Sequence, residues 1–239
     1  AGTVGAETTA VAGQSPPADD VAAQQVDPSA ETVFVSAERA DETTGLPGPL
    51  ARLTKADLST LRWWLITRIA VLIAVGASAW LLTSGKGKPS GIFARWVQWD
   101  AVNFNVIAQF GYAGDGSRKA PYFEAFFPGF PLTLRPLVNL GVPVGLAGLL
   151  ISATALAVAV VALRRLGDLE AGTGVGERAA LLLMLSPWAV FLMAGYSEAL
   201  FLAFAIPAWL AAKRGHWWLA CGLAMGASAT RVTGLFLAI

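Results

Sequence analysis

The fold of this protein is decided by residues 178–214, which read RAALLLMLSPWAVFLMAGYSEALFLAFAIPAWLAAKR. Residues 179–212 of this stretch contain one charged side chain, Glu198. As a single helix they would extend about 51 Å, because an α-helix rises about 1.5 Å per residue. A hydrocarbon core of about 30 Å is too thin for that length. Since basic residues stand at both ends, we predict a hairpin of two short membrane helices whose turn lies around residues 195–198.

Three more stretches without a charged residue approach the length of a membrane span, namely 69–85, 136–163 and 215–230. Basic residues border them: Arg52, Lys55, Arg62, Arg68, Arg164, Arg165, Lys213 and Arg214. Cytoplasmic loops are enriched in Lys and Arg. If all these bases are cytoplasmic, the spans alternate across the membrane without contradiction. We therefore predict an all-α, polytopic membrane protein with about five transmembrane helices in residues 51–239.

Composition and charge agree with this interpretation. Hydrophobic residues make up 55% of the chain and charged residues 14%, whereas ordinary soluble domains carry about 25% charged residues. This excludes a soluble globular domain and a nucleic-acid-binding protein, and the single cysteine, Cys221, excludes an intrachain disulfide. The acidic, proline-rich residues 1–50 contain a single aromatic residue, Phe34. They bury too little apolar surface to fold, so we predict a disordered cytoplasmic tail.

The segment between the first two spans, residues 84–135, is predicted to form an outer loop. It holds eleven of the chain's 24 aromatic residues. The spacing of Trp99, Val102, Val106 and Phe110 predicts an amphipathic helix that lies in the membrane interface. In this topology the outer loop, residues 196–198 and Arg231 all meet at one face of the membrane.

Three charged residues are candidates for the chemistry at that face. Asp100 is either a general base at the lipid–water boundary or the N-cap of a helix that follows Trp99. Glu198, between two apolar spans, marks either a site or an interfacial turn. Arg231 either pairs with a phosphate or extends to the outer headgroups. One histidine and one cysteine do not make a metal-ligand cluster, and we expect His216 to act as an interfacial anchor.

Four motifs follow one another along the second half of the chain. They read Trp99-Asp100-Ala101 with Ile107-Ala108 and Gly111-Tyr112, FFPGFPL at 126–132, Tyr196-Ser197-Glu198 with Leu200-Phe201, and ATRVTG at 229–234. In this order they resemble the motifs of the PIG-V mannosyltransferase family, and the ordered set is far more specific than any single motif. The chain departs from the family pattern at Asn103, where histidine or tryptophan is frequent, and at Phe104 and Phe130, which replace tyrosines.

The resemblance implies a GT-C glycosyltransferase that takes mannose from a polyprenyl-phosphate donor, as the eukaryotic members do from dolichyl-phosphate mannose in GPI-anchor synthesis. It implies Asp100 as the catalytic base, and a substrate-binding set made of Trp99, Asn103, Tyr196, Glu198 and Arg231. The lipid-phosphate sugar is a substrate, so no cofactor is expected, and no metal-binding residue is predicted. The partners implied are this donor, a glycolipid or glycan acceptor and the lipid bilayer.

The richness in Ala, Val, Gly and Arg is typical of high-GC bacteria. We therefore expect an integral protein of a bacterial plasma membrane, with a cytoplasmic N-terminus, an outward active face and an acceptor in the cell envelope. Family members continue through several more spans, so we expect this sequence to be the N-terminal portion of a longer enzyme.

Two other functions are open from the sequence. A transporter or lipid flippase would show internal repeats and helices broken at the membrane midplane. No repeat relates the spans of this chain, and its polar residues gather at one face instead. A noncatalytic membrane subunit of a glycan-assembly complex is the other alternative.

Overall fold

The computed structural model describes residue 2 and residues 53–82, 93–114, 116 and 123–238. The described residues form helices and connecting turns without a β-strand, so the all-α prediction is confirmed. The α-helices are α1 (Lys55–Leu82), α2 (Asp100–Phe110), α3 (Gly129–Asn139), α4 (Val144–Ala171), α5 (Val175–Leu185), α6 (Ser197–Lys213) and α7 (Trp217–Thr230). Short 3-10 helices cover Ala94–Trp96, Phe123–Ala125, Pro187–Val190 and Val232–Ala238. The prediction for the 1–50 tail lies outside the described residues.

Two of these helices are long and apolar enough to cross a membrane. They are the Lys55–Ser78 part of α1 and the whole of α4, which has 28 residues. Residues 69–82, the described part of the first predicted span, therefore belong to a longer helix. Helix α1 begins earlier because Thr54 and Asp57 cap it reciprocally: Asp57 N donates to Thr54 Oγ1 over 3.1 Å, and Thr54 N donates to Asp57 Oδ2 over 3.0 Å.

Residues 179–212 are divided between two helices, α5 and α6, as predicted, but both pack against α4 rather than against each other, and the break between them is longer than the sequence indicated. The break covers residues 186–196, and Glu198 lies inside the first turn of α6. Pro187 explains the early end of α5, because the residue before a proline is driven out of the helical conformation. Ser186 is extended, with φ −62° and ψ 152°.

Arg68 of α1 fills the gap that this break leaves. Only 3% of its surface is exposed. Its Nη2 donates to the carbonyl of Met184 over 3.3 Å, and its Nη1 donates to the carbonyl of Ala189 over 3.4 Å. The last carbonyls of a helix have no partner within the helix, and a cation is favourable beside them. Arg68 therefore closes the broken end of α5 and is not a border residue of the first span.

Helix α4 occupies the centre of the bundle, where it packs against α1, α3, α5 and α6. Glycine also allows a close approach between α4 and the chain that leads into α6. A Cβ added to Gly148 of α4 would lie 2.9 Å from the Cα of Gly195. The hydroxyl of Ser152, one turn further along α4, donates to the carbonyl of Ala194 over 2.6 Å. These two contacts fix the chain immediately before Tyr196.

The opposite end of the bundle is held by a buried ionic cluster around Asp57, whose surface is fully buried. Arg164 Nε donates to Asp57 Oδ1 over 2.8 Å, and Arg165 Nη2 donates to Asp57 Oδ2 over 2.5 Å. Arg164 also binds Asp168, whose other oxygen accepts from Gly176 N over 2.9 Å. Two of the bases that border the predicted spans thus join α1, α4 and the start of α5.

Helix α2 buries a different face from the one the sequence indicated. The predicted apolar stripe is largely outward, with Trp99 75% and Phe110 53% exposed. The buried residues are Ala101, Phe104, Ile107 and Ala108. Phe104 decides this orientation, because its ring packs 5.3 Å from the ring of Phe126 and 5.1 Å from that of Phe130. The phenylalanines that replace family tyrosines therefore form an apolar cluster between α2 and α3.

Candidate active site

Segments far apart in sequence meet where α2 and α6 begin and α7 ends. The hydroxyl of Tyr196 donates to the carbonyl of Gln98 over 3.2 Å. Arg231 Nη1 donates to Glu198 Oε1 over 2.5 Å and to Ser197 Oγ over 3.2 Å. The structure therefore links the segment before α2 to residues 196–198, and those residues to Arg231.

Arg231 extends from a kink at the end of α7. Its backbone is extended, with φ −152° and ψ 147°. The chain then reverses, and Gly234 packs so tightly on the backbone of Ala227 and Ser228 that no side chain would fit. The start of α3 also reaches this kink, since a Cβ added to Gly129 would lie 2.7 Å from the carbonyl oxygen of Ala229. The FFPGFPL motif therefore lies against the ATRVTG motif.

Of Gly195, Gly222, Gly226 and Gly234, all but one make close packing contacts. Gly195 lies against Gly148, and a Cβ on Gly226 would lie 2.7 Å from the ring of Phe204. Gly222 is the exception, because nothing lies within 4 Å of a Cβ placed there.

Trp99, the residue immediately before α2, has an unusual backbone conformation. Its φ of 47° and ψ of −120° correspond to the second residue of a type II′ turn, a position that glycine usually occupies. The turn is closed by Ala101 N, which donates to the carbonyl of Gln98 over 3.0 Å. Among the described residues, Trp99 is the only non-glycine with positive φ. Such a conformation costs about 1–3 kcal/mol and persists only where the surroundings impose it.

Asp100 is the first residue of α2, so its alternative role as the N-cap is wrong. The N-cap position belongs to Trp99, and no side chain caps this helix. The Asp100 side chain is exposed and makes no hydrogen bond or ion pair with a described residue. A carboxylate in the first turn is compatible with the positive end of the helix dipole. Among the described residues, therefore, no structural bond occupies the Asp100 carboxylate.

Tyr196 lies close to both carboxylates of the site. Only 7% of its surface is exposed. Burial raises the pKa of its hydroxyl, and the negative charges of Asp100 and Glu198 raise it further. The hydroxyl therefore remains a donor at neutral pH. It is bound to Gln98 and joins two segments, while the substrate contact that the resemblance implied stays a prediction.

The remaining predicted residues surround this centre. Asn103 is half-buried and lies three residues after Asp100, on the same side of α2. Trp99 presents a largely exposed indole. Gln98 and Ser197 were not predicted as site residues. Ser197 could have been found from its place in the Tyr-Ser-Glu motif, whereas Gln98 takes part through its backbone and leaves no signal in the sequence. Within the described ranges, no group of three or more His, Cys, Asp or Glu residues is placed to hold a metal ion.

Comparison with known proteins identifies the family. The model of the family described as mannosyltransferase (PIG-V) matches residues 86–236, which include every segment of the candidate site. The rat protein GPI alpha-1,6-mannosyltransferase 2 is 37% identical over 151 residues, covering 58% of this chain and 29% of the rat protein. The human protein of the same name is 35% identical over 158 residues, covering 61% of this chain and 30% of the human protein.

The chain thus spans less than a third of the length of these curated relatives. No solved structure matches it. The match to the family model extends over more than half of the chain and contains all four motifs in order. The chain therefore belongs to the PIG-V family of mannosyltransferases.

Proposed function

We propose that the full-length protein transfers mannose from a polyprenyl-phosphate donor to a lipid-linked or envelope-glycan acceptor at the outer face of a bacterial plasma membrane. One observation carries this proposal: Tyr196 binds the turn that precedes Asp100, and the next two residues, Ser197 and Glu198, bind the guanidinium of Arg231. A lipid-phosphate sugar presents its headgroup at the membrane boundary, and both the carboxylate and the guanidinium are needed there. The family membership and the names of the curated relatives support the same reaction class.

In the proposed reaction, Asp100 takes the proton of an acceptor hydroxyl while the hydroxyl oxygen attacks C1 of mannose. The new bond joins this oxygen to C1, and the bond between C1 and the phosphate oxygen breaks. The electron pair of the broken bond leaves with the polyprenyl phosphate. Attack from the face opposite the phosphate inverts the configuration at C1, so that a β-linked donor would yield an α-mannoside.

Arg231 stabilises the phosphate in this proposal, because a planar guanidinium matches the oxygens of a phosphate group. Glu198 accepts a 2.5 Å hydrogen bond from Arg231 Nη1, which favours a role in holding the guanidinium over a direct contact with sugar hydroxyls. Trp99 and Asn103, on either side of Asp100, are the proposed contacts to mannose and the acceptor.

The test is transfer of radiolabelled mannose from synthetic polyprenyl-phosphate mannose into membrane lipids by the full-length protein in proteoliposomes. We expect a labelled glycolipid product that depends on the protein. Movement of the intact donor between leaflets without a mannosylated product would contradict the proposal and favour the flippase alternative. Neither transfer nor movement would favour the noncatalytic subunit.

A further inference from the structure

We propose that Tyr196 is a positioning residue: by holding the Gln98 carbonyl, it maintains the strained turn at Trp99 and so aims the Asp100 carboxylate. This inference rests on the proposed transferase function for its catalytic consequence. It concerns how the base is placed, and it assigns Tyr196 a different role from a direct contact with the sugar.

The Gln98 carbonyl is the shared acceptor in this arrangement. It receives the Ala101 N–H over 3.0 Å and the Tyr196 hydroxyl over 3.2 Å. The first bond closes the turn, and the second ties the turn to a residue 98 positions further along the chain. The two bonds hold, from two directions, the Gln98 peptide group at the start of the turn. Because the turn at Trp99 is fixed, the orientation of Asp100, the first residue of α2, is fixed as well.

The strain at Trp99 explains why such a hold is needed. A tryptophan with φ of 47° is strained, and its conformational energy falls when φ returns to a negative value. That change would rotate the peptide group between Trp99 and Asp100 and move the carboxylate away from its present position. Glycine would accept the conformation without strain, but it would lack the indole that is 75% exposed here. The chain thus keeps an aromatic side chain beside the Asp100 carboxylate, and the hydrogen bond from Tyr196 holds the strained turn.

Tyr196 is also suited to hold the base and the phosphate-binding cation at a set separation. Its backbone continues directly into Ser197 and Glu198, which both accept hydrogen bonds from Arg231. The chain immediately before Tyr196 is fixed on α4 through Ala194 and Ser152. A displacement of about 1 Å between reacting groups can reduce turnover about 100-fold, so a bond that sets this separation acts on catalysis directly.

The variant that tests the proposal is Tyr196→Phe, which removes the hydroxyl and keeps the buried ring that lies 5.6 Å from the ring of Phe191. The matched control is Tyr112→Phe, because the Tyr112 hydroxyl also donates to a backbone carbonyl, that of Phe126, over 2.8 Å. We expect Tyr196→Phe to lower kcat about tenfold, with the donor KM changed less than about twofold. Tyr112→Phe should keep the wild-type kcat. A raised KM at unchanged kcat would instead indicate a substrate contact and overturn the proposal.

A double-variant comparison separates positioning from general stabilisation. If Tyr196 acts through Asp100, then adding Tyr196→Phe to Asp100→Asn should lower the residual activity by less than about twofold. A full tenfold loss on top of Asp100→Asn would show that Tyr196 acts independently of the carboxylate, and the proposal would be wrong.

A readout without catalysis keeps the proposal testable even if the transferase function fails. The full-length protein is labelled with fluorotryptophan, and its Trp99 fluorine resonance is assigned by its loss in Trp99→Phe. Tyr196→Phe should shift or broaden this resonance, whereas Tyr112→Phe should leave it in place. An unchanged Trp99 resonance in Tyr196→Phe would overturn the inference. Absence of mannose transfer by the wild-type protein would instead overturn the proposed function.

Discussion

Glu198 and Arg231 lie 33 residues apart in sequence, on α6 and just after α7, and are joined by a 2.5 Å hydrogen bond between Oε1 and Nη1. Their side chains are 36% and 38% exposed. Ion pairs that open to solvent contribute about 0–1 kcal/mol to stability. The pair therefore contributes little to the stability of the bundle, so its effect on activity can be measured separately from its effect on folding.

Arg231→Lys should raise the apparent KM for the donor about tenfold while protein yield and thermal stability stay near wild type. Lysine keeps the charge but loses the planar pair of N–H donors, and a hydrogen bond to a charged group is worth about 1.5–3 kcal/mol. Steady-state kinetics with varied donor and saturating acceptor measure this. Unchanged donor kinetics would return Arg231 to the role of an interfacial anchor.

Asp100→Asn should lower turnover about 100-fold or more at saturating donor, because asparagine cannot accept the proton of the acceptor hydroxyl. Since no described residue bonds to the Asp100 side chain, membrane insertion and stability should hardly change. Labelled-mannose transfer and a thermal melt in detergent measure the two effects. Near-wild-type turnover would remove Asp100 from the mechanism and leave Glu198 as the next carboxylate to consider.

Arg68→Met should destabilise the protein by about 1–3 kcal/mol, because the carbonyl of Met184 would lose the guanidinium donor and the carbonyl of Ala189 would lose one of its donors. Those groups lie at the end of α5 and in the turn that follows. Arg62→Met on the same helix is the matched control, since Arg62 is exposed and should change stability by less than about 0.5 kcal/mol. Thermal unfolding in detergent compares them, and equal effects would show that Arg68 does not close the helix end.

Asp57→Asn should cost about 3 kcal/mol or more, because it removes the buried charge that pairs with Arg164 and Arg165. Arg164 and Arg165 both bind this carboxylate, and Asp57 itself is fully buried. Glu170→Gln breaks the exposed pair with Lys213 and should cost at most about 1 kcal/mol. Chemical unfolding of both variants, with the wild type alongside, gives the comparison. A loss for Asp57→Asn no greater than that for Glu170→Gln would mean that the buried cluster does not hold α1 to α4.

The topology prediction places residues 1–62 in the cytoplasm and residues 86–125 outside. Single cysteines at Ser36 and Ser90, introduced into a Cys221→Ser background, should react oppositely with an impermeant maleimide in intact cells. The physical reason is the preference of basic segments for the cytoplasmic side. Equal labelling of the two positions would contradict the prediction, and labelling after permeabilisation serves as the control for reactivity.

The sequence by itself determined the features that depend on local pattern and composition. Hydropathy and charge indicated an all-α membrane protein, and the length of residues 179–212 against the membrane thickness predicted that this stretch is divided into two helices. Four short motifs in order identified the family, because a motif is recognised from residue types and their order alone, without knowledge of which residues are neighbours in space. Glu198 and Arg231 were named in the same way.

The tertiary structure alone decided which groups bind each other and which faces are buried. Periodicity could not orient α2, because both of its sides carry apolar residues and only the packing of Phe104 against Phe126 and Phe130 selects one. The bond from Tyr196 to Gln98 was not predictable for a similar reason, since its acceptor is a backbone carbonyl that every residue possesses. Arg68 likewise acquires its role from the broken end of α5, a helix more than 100 residues away in sequence.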